Sequence, residues 1–276
     1  MINTWIKTWI AFFLLLSAGV YPKKLDEKPI VILTTSYNNK KWVEANLSSI
    51  YSQKYSNYRV IYVDDASQDG TADIVENFIK EQTKELRFDL IRNKERVGAL
   101  ANIYYSIHDY CLDDEIVVSL DGDDRFYDNN VLKIVNKAYS TKEVWLTHGT
   151  MLEFPSYSTS WSKPIPHDII ASNKFRSYRC PSHLRTFYAW LFKKIKKEDL
   201  MYNGSFFEMT WDQAMMFPMI EMAGFRHDFL AHISYVYNMT NPINDNKVNA
   251  RLQQDLEIYI RAKPPYLPLP NRGIEE

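Results

Sequence analysis

The chain has 276 residues, 46% hydrophobic and 24% charged, enough for one large α/β domain or two small ones. With 33 Lys and Arg against 34 Asp and Glu, the formal charge is −1, which gives no support to a nucleic-acid partner. Two cysteines, Cys111 and Cys180, make neither a disulfide scaffold nor a zinc-ligand cluster, and whether they pair is not readable from their spacing.

The N-terminus carries an apolar run from Trp9 to Leu16, and Lys7 is the only charged side chain before Lys23. It reads as a signal anchor or monotopic attachment first, a cleaved signal peptide ending at Ser17-Ala18-Gly19 second, and a segment packed on the domain third. A spanning helix wants about 20 apolar residues, and Trp5 to Val20 falls a little short. If it spans, Lys23, Lys24 and Lys28 favour a membrane-associated protein with a cytoplasmic-facing domain; cleavage would leave it exported or lumenal. The expected division is a hydrophobic segment and linker over 1–28, a folded domain over 29–262 and a Pro-rich tail over 263–276.

From Pro29 onward strands alternate with helices. Ile30 to Thr35 is a buried first strand, and Trp42, Leu47, Ile50 and Tyr51 mark a helix ending near Gln53. Tyr58 to Val63 is a second strand that stops at Asp64-Asp65. A capping turn follows, and Ile74, Val75, Phe78 and Ile79 give the next helix its apolar face. Phe88 to Ile91 is a short third strand, followed by a helix from about Gly98 to Tyr110. This alternation predicts parallel pairing in a doubly wound α/β fold.

The next strand ends in Val117-Val118-Ser119-Leu120-Asp121-Gly122-Asp123-Asp124, with three carboxylates in its last four positions. Open α/β sheets bind ligands just beyond the carboxyl ends of their strands, and crowded acids repel one another unless a cation sits among them. The pattern points to a divalent-metal site for a diphosphate; its simpler alternative is a polar turn. Further on, a helix is expected at Val131 to Val135 and a strand at Val144 to Thr147. An irregular stretch runs from about Glu153 to Pro181. Helices are expected at His183 to Phe192, Thr210 to Met222 and Asn246 to Arg261.

Taken together, Leu33-Thr34-Thr35-Ser36-Tyr37-Asn38, Val63 to Thr71, Leu120 to Asp124 and Trp211-Asp212-Gln213 resemble, in order and spacing, a family 2 glycosyltransferase of the GT-A fold. The resemblance covers about Pro29 to Gly224 and implies a mostly parallel sheet with flanking helices and a helical C-terminal region. It also implies a metal-dependent, inverting transfer of a sugar from a nucleotide-sugar donor, UDP-linked by expectation, to a hydroxyl of a glycan or lipid-linked acceptor. Hard carboxylate ligands suit Mn²⁺ or Mg²⁺. Asp123 is the expected first ligand, and Asp121 reaches the metal or the donor ribose. Asp124 ligates through water, orients the others or caps the next turn. Thr35 and Tyr37 line the donor pocket, and Asp65 accepts from the N–H of a pyrimidine base. Asp212 matches the catalytic base, with Glu208 as runner-up one turn earlier.

Several residues read more simply as structural. Asp64 is a capping acid, Asp69-Gly70-Thr71 a turn and helix start, and His148, His183, His227 and His232, each taken alone, packing or surface residues. Arg179, His183 and Arg185, near the irregular stretch, are within reach of donor phosphates or an anionic acceptor. The basic run Lys193 to Lys197 is a solvated face, or a contact for anionic lipid. Family members often carry Ala-Arg-Asn before the metal strand; here Ala99-Leu100-Ala101-Asn102 lacks that Arg, and Arg96 is its candidate substitute. Rival functions are a silent GT-A-like glycan-binding or scaffold protein and a nucleotidyltransferase, although no Gly-rich phosphate loop follows the first strand.

Overall fold

The computed structural model describes residues 25–82, 85–179 and 181–272. The apolar N-terminal run and Cys180 lie outside the described residues, and among those described no helix is long and apolar enough to cross a membrane. Cys111 is buried with a free thiol, pushed up to about 12 chiefly by burial.

The first half is regular. Strands β1 (Ile30–Ser36), β2 (Tyr58–Asp64) and β3 (Phe88–Arg92) alternate with helices α1 (Val43–Tyr51), α2 (Thr71–Glu81) and α3 (Ala99–Tyr110), which lead into β4 (Ile116–Asp121). Every residue of β1 and β2 is buried, as expected of strands covered by helices on both faces. They pair in parallel in the order β3-β2-β1-β4. Parallel pairing brings all their carboxyl ends to one edge, so that Thr35 pairs with Asp121 and Ser36 with Asp64.

The second half departs from that pattern. It contains β5 (Arg125–Phe126), α4 (Val131–Thr141), β6 (Leu146–Phe154), β7 (Ser158–Thr159), α5 (His167–Ala171), β8 (Arg185–Tyr188) and α6 (Ala189–Lys193). Then come β9 (Met201–Tyr202), β10 (Ser205–Phe206), α7 (Trp211–Ala223), β11 (His227–Asn238), α8 (Asp245–Val248) and α9 (Ala250–Ala262). The sheet continues from β4 as β8-β6-β11-β5. Here β8 is antiparallel to both β4 and β6, while β6 and β11 are parallel.

The helix expected over His183 to Phe192 is therefore a strand followed by a short helix. A short apolar run does not reveal its period. The Thr186 hydroxyl settles its place in the sheet, within 2.9 Å of the Tyr139 hydroxyl and 2.6 Å of that of Thr147. Strand β6 runs seven residues beyond the expected end at Thr147, and β11 was not foreseen at all. The expected last helix is divided at Asn249, whose side chain caps α9 by accepting from the Leu252 N–H at 3.0 Å. The Pro-rich tail is irregular but anchored: the Tyr266 N–H donates to Glu221 at 2.9 Å and its hydroxyl to Asp199 at 2.6 Å.

Helix α7 is buried from Ala214 to Ala223. A helix apolar on all sides belongs in a core, and this one is fixed on the unforeseen half of the sheet. The Arg176 guanidinium closes a fork on Glu221 at 2.6 and 2.9 Å and donates to the Ile260 carbonyl, joining α7 to α9.

Candidate active site

The site begins where β1 and β4 end side by side. The Gly122 N–H donates to the Thr35 carbonyl at 3.0 Å. A Cβ at position 122 would lie 2.5 Å from the Ser36 Cβ and Oγ, so only glycine lets β4 turn so close over β1. From α1, the Asn46 side-chain amide donates to the Asp121 and Asp124 carbonyls at 3.0 and 2.8 Å. The backbone of the three acids is thereby held from below.

Their side chains diverge. The Asp124 carboxylate turns into the protein, where it accepts from the Tyr235 hydroxyl and the Asn238 N–H, both at 2.6 Å. Asp123 lines an open cleft of about 310 Å³ and accepts from the Asn241 amide at 2.7 Å. Asp121 lines the same cleft, with His183 Nε2 3.7 Å from its Oδ2. The imidazole stacks on the Tyr235 ring at 4.4 Å between centroids and on Tyr237 at 5.7 Å. Its Nε2 lies 2.8 Å from Arg185 Nη1, and Arg185 Nη2 donates to Asp212 Oδ2 at 2.7 Å. A continuous line of polar contacts thus runs Asp121–His183–Arg185–Asp212 across the cleft.

The electrostatics follow from burial and crowding. Burial pushes Asp123 up to about 6, opposed by the Asn241 bond and helped by the Asp121 charge. Burial and then the charges of Asp123 and Asp121 push Asp124 well above the usual carboxylate range. Asp121 is pushed up by burial too, but His183 and Arg185 together hold it below its usual value. Burial and then the Arg185 charge lower His183, which favours the neutral imidazole.

Oxygens of Asp121 and Asp124 and a nitrogen of His183 all lie within 4.8 Å of one another. Two carboxylates and one neutral imidazole fit a divalent cation such as Mn²⁺ or Mg²⁺. Asp123, the first ligand by sequence, falls outside that group and faces the cleft. Tyr235, Asn238 and Asn241, which hold the acids, escaped sequence reading because no spacing links them to residue 121. His183 carried one usable signal, its place two residues from Arg185.

The other expected residues distribute as follows. Thr35, Tyr37, Trp211 and Asp212 line the cleft, and the Arg96 guanidinium lies 4.1 Å from the centre of the Tyr37 ring. Asp212 opens α7 after Thr210, whose φ of 57° is left-handed, and its Oδ1 accepts from the Gln213 N–H. Asp65 stands behind the cleft. Its carboxylate accepts from the Asn93 amide at 2.8 Å and from the Val97 and Gly98 N–H groups at 2.9 Å. Burial raises this acid, but those bonds outweigh it and lower it overall. Asp64 accepts from the Ser67 N–H, and Asp69 from Thr71 and the Lys40 N–H, as turn and cap residues do. Glu208 is exposed and does not line the cleft. Lys193 pairs with Asp113, and Lys197 lies over the rings of Tyr104, Tyr105 and Phe206.

An α/β sheet with paired acids at the carboxyl end of a strand and a third acid across an open cleft is the arrangement of a group-transfer enzyme. The family model for Glycosyl transferase family 2 matches residues 31–230. The chain belongs to that family.

Among curated proteins, it is 32% identical over 96 residues to the poly-β-1,6-N-acetyl-D-glucosamine synthase of Staphylococcus aureus. That match covers 34% of this chain and 23% of the synthase, so it spans about a quarter of the relative's length. Among solved structures, residues 1–349 of S. aureus TarS superpose with a TM-score of 0.57 at 16% identity, over 76% of this chain and 60% of that one. TarS has also been solved with UDP-GlcNAc, matching at a TM-score of 0.56 and 15% identity over 77% of this chain and 59% of that one. The mannosyltransferase PcManGT of Pyrobaculum calidifontis, solved with GDP-Man and Mn²⁺, matches at 0.55 and 19% identity over 93% and 69%. At these identities the structures establish the fold, which is that of GT-A glycosyltransferases.

Proposed function

We propose that this chain transfers a sugar from a nucleotide-sugar donor, UDP-linked, to a hydroxyl of a glycan or lipid-linked acceptor with inversion of the anomeric centre. The observation that carries the reading is that Asp121, Asp123 and Asp212, distant in sequence, line one cleft with Thr35 and Tyr37. The nucleotide sugars bound by TarS and PcManGT support the donor class.

Tyr37, with Arg96 beside it, offers a ring and a cation to the donor, and Thr35 borders the same wall. Asp65 acts one layer behind: it holds the 93–98 loop, and so Arg96, against the end of β2, shaping the base pocket. Asp121, Asp124 and His183 would hold a divalent cation, and Asp123 lines the cleft that would take the donor. Such a cation supplies Lewis-acid stabilisation of the diphosphate that leaves. Arg185 adds a fixed positive charge at the same place.

Asp212 is the base. Its carboxylate must meet the acceptor hydroxyl, take its proton and leave the oxygen to attack the anomeric carbon from the face opposite the diphosphate. Its side chain is 31% exposed, open to an acceptor, while the Arg185 guanidinium holds the carboxylate in place at 2.7 Å.

The test is a thermal-shift panel with UDP, GDP and CMP, each with and without Mn²⁺. Ligand at 100 times Kd stabilises by about 2.7 kcal/mol. A shift with UDP that needs Mn²⁺ and vanishes in Asp123→Ala is expected. Absence of any nucleotide shift in a cooperatively melting protein would overturn the reading in favour of a silent scaffold.

A further inference from the structure

A second cavity, of about 280 Å³, lies beside the cleft and shares none of its lining residues. Its wall includes His148, Trp161, Lys163, Tyr178 and Arg179. Pro181 borders the cavity and His183 and Arg185 the cleft, so the chain crosses from one to the other within residues 181–185. The Ser182 carbonyl fixes that crossing to β6 by accepting from the Gly149 N–H at 3.3 Å.

Three features of the cavity call for a ligand. First, His148 is 1% exposed, yet neither ring nitrogen has a hydrogen-bond partner among the described residues. A buried polar group left unpaired is destabilising. Burial, and then the neighbouring His227, push this imidazole down to about 3, so it stays neutral and offers one donor and one acceptor. That pair suits a hydroxyl, which also donates and accepts; both nitrogens are closed to solvent as the ring stands, so the imidazole must turn toward the cavity to meet it. Second, Lys163 and Arg179 bring two positive charges to the wall, no carboxylate is among the lining residues, and neither cation makes an ion pair among the described residues. Third, Trp161 is 46% exposed, and the Arg179 guanidinium sits 5.0 Å from its ring centre. The indole gives a flat apolar surface at the mouth and steadies the guanidinium by a cation–π contact.

We propose that this cavity binds a saccharide unit carrying a negative charge, a carboxylate or a phosphate, as a distal unit of the acceptor chain whose end enters the cleft. Arg179 and Lys163 meet the anion, the guanidinium in its two-pronged geometry. Trp161 lies under the ring, and His148 takes a hydroxyl. The inference rests on the transfer reading for calling the ligand an acceptor; the binding itself does not.

The experiment is ligand-observed saturation-transfer NMR on the full chain without nucleotide, using glucuronic acid, glucose 6-phosphate and glucose as probes. At least one of the two charged sugars is expected to bind saturably, and glucose not at the same concentration. Arg179→Gln, an exposed change that leaves the core intact, should weaken binding roughly 10- to 100-fold, the scale of a hydrogen bond to a charged group. Trp161→Ala should weaken it as well, and Asp123→Ala in the cleft should not. His148→Phe should lose binding without lowering the melting temperature, since it removes an unpaired buried group. Binding of glucose as strong as that of the charged sugars would overturn the proposal, as would no binding of either, or binding that survives Arg179→Gln. If a charged sugar binds in this pattern and no nucleotide shift is ever seen, the transfer reading fails and the cavity site stands; the reverse result fails the cavity alone.

Discussion

The two halves of the sheet do different work at the same edge. From Ile30 to Asp121 the strands are parallel, buried except for the edge strand β3, and joined by helices, and they deliver Thr35, Asp121 and the acids that follow. From Leu146 to Asn238 the pairings are mixed, and β11 carries register shifts between Leu230 and Tyr235. This second half supplies the groups that compensate for the acids: Tyr235 and Asn238 on Asp124, His183 beside Asp121, and Arg185 on Asp212. The parallel strands gather negative charge at their carboxyl edge, and the mixed half of the same sheet supplies the hydrogen bonds and cations that buried charge requires.

That division of labour can be broken at its most sensitive point. Asp212→Asn keeps the shape of the side chain and removes its capacity to accept a proton. Nucleotide binding should persist, because the acids of the first half remain, while sugar transfer should fall roughly 10²–10⁴-fold. Transfer within a few-fold of wild type would move the base outside the cleft.

The next largest effect belongs to the scaffold of the second half. Glu221 is fully buried and held by Arg176 and the Tyr266 N–H. Arg176→Ala leaves that carboxylate without its cation, a loss of about 3–5 kcal/mol. Thermal melting should show it as the largest drop among single variants away from the cleft. A drop below about 1 kcal/mol would mean that α7 is held by its apolar packing alone.

In the first half, the sensitive position is a glycine. At Gly122→Ala the new methyl meets Ser36 Cβ at 2.5 Å, which requires β1 and β4 to part. Overpacking of this kind costs about 1–3 kcal/mol. Because the displaced backbone carries Asp121 and Asp123, Mn²⁺-dependent nucleotide binding should weaken along with stability. Normal nucleotide binding in a destabilised variant would show that the acids tolerate movement of their strand.

How much of this was legible in the sequence follows the same boundary. Val117 to Asp121 reads directly as a strand, because a β-branched run in an alternating α/β chain has one economical interpretation, while the acids that end it left a metal site and a polar turn both open. Asp212 reads through its resemblance to the family pattern and its place at a helix start. The strand nature of Arg185 to Tyr188 does not read, since a short apolar run gives no period and its neighbours β4 and β6 are remote in sequence. β11 is partly exposed and bulged, so the alternation that would announce a strand is interrupted, and with it the register that puts Tyr235 beneath Asp124. Asp65 is legible as an acid ending a strand, but its partners are not. The turn at Gly98, with φ of 89°, is what directs two backbone N–H groups at its carboxylate.

The smallest effect tests how closely the last helix is tied to the site. Asn249 separates α8 from α9 and caps the latter through the Leu252 N–H. One turn on, the Gln253 carbonyl accepts from the Thr210 hydroxyl at 3.1 Å, and Thr210 immediately precedes the helix that carries Asp212. Asn249→Ala removes the cap and should cost about 1 kcal/mol, roughly 2–4 °C in melting temperature for a domain of this size. Hydrogen exchange should rise at Leu252, whose N–H loses its acceptor, and at Gln253, while β1 to β4 stay protected. If α9 only covers the cleft, transfer changes less than twofold. If its first turn fixes the left-handed backbone at Thr210, transfer falls further than stability does, and the wall that orients Asp212 extends to the last helix of the chain.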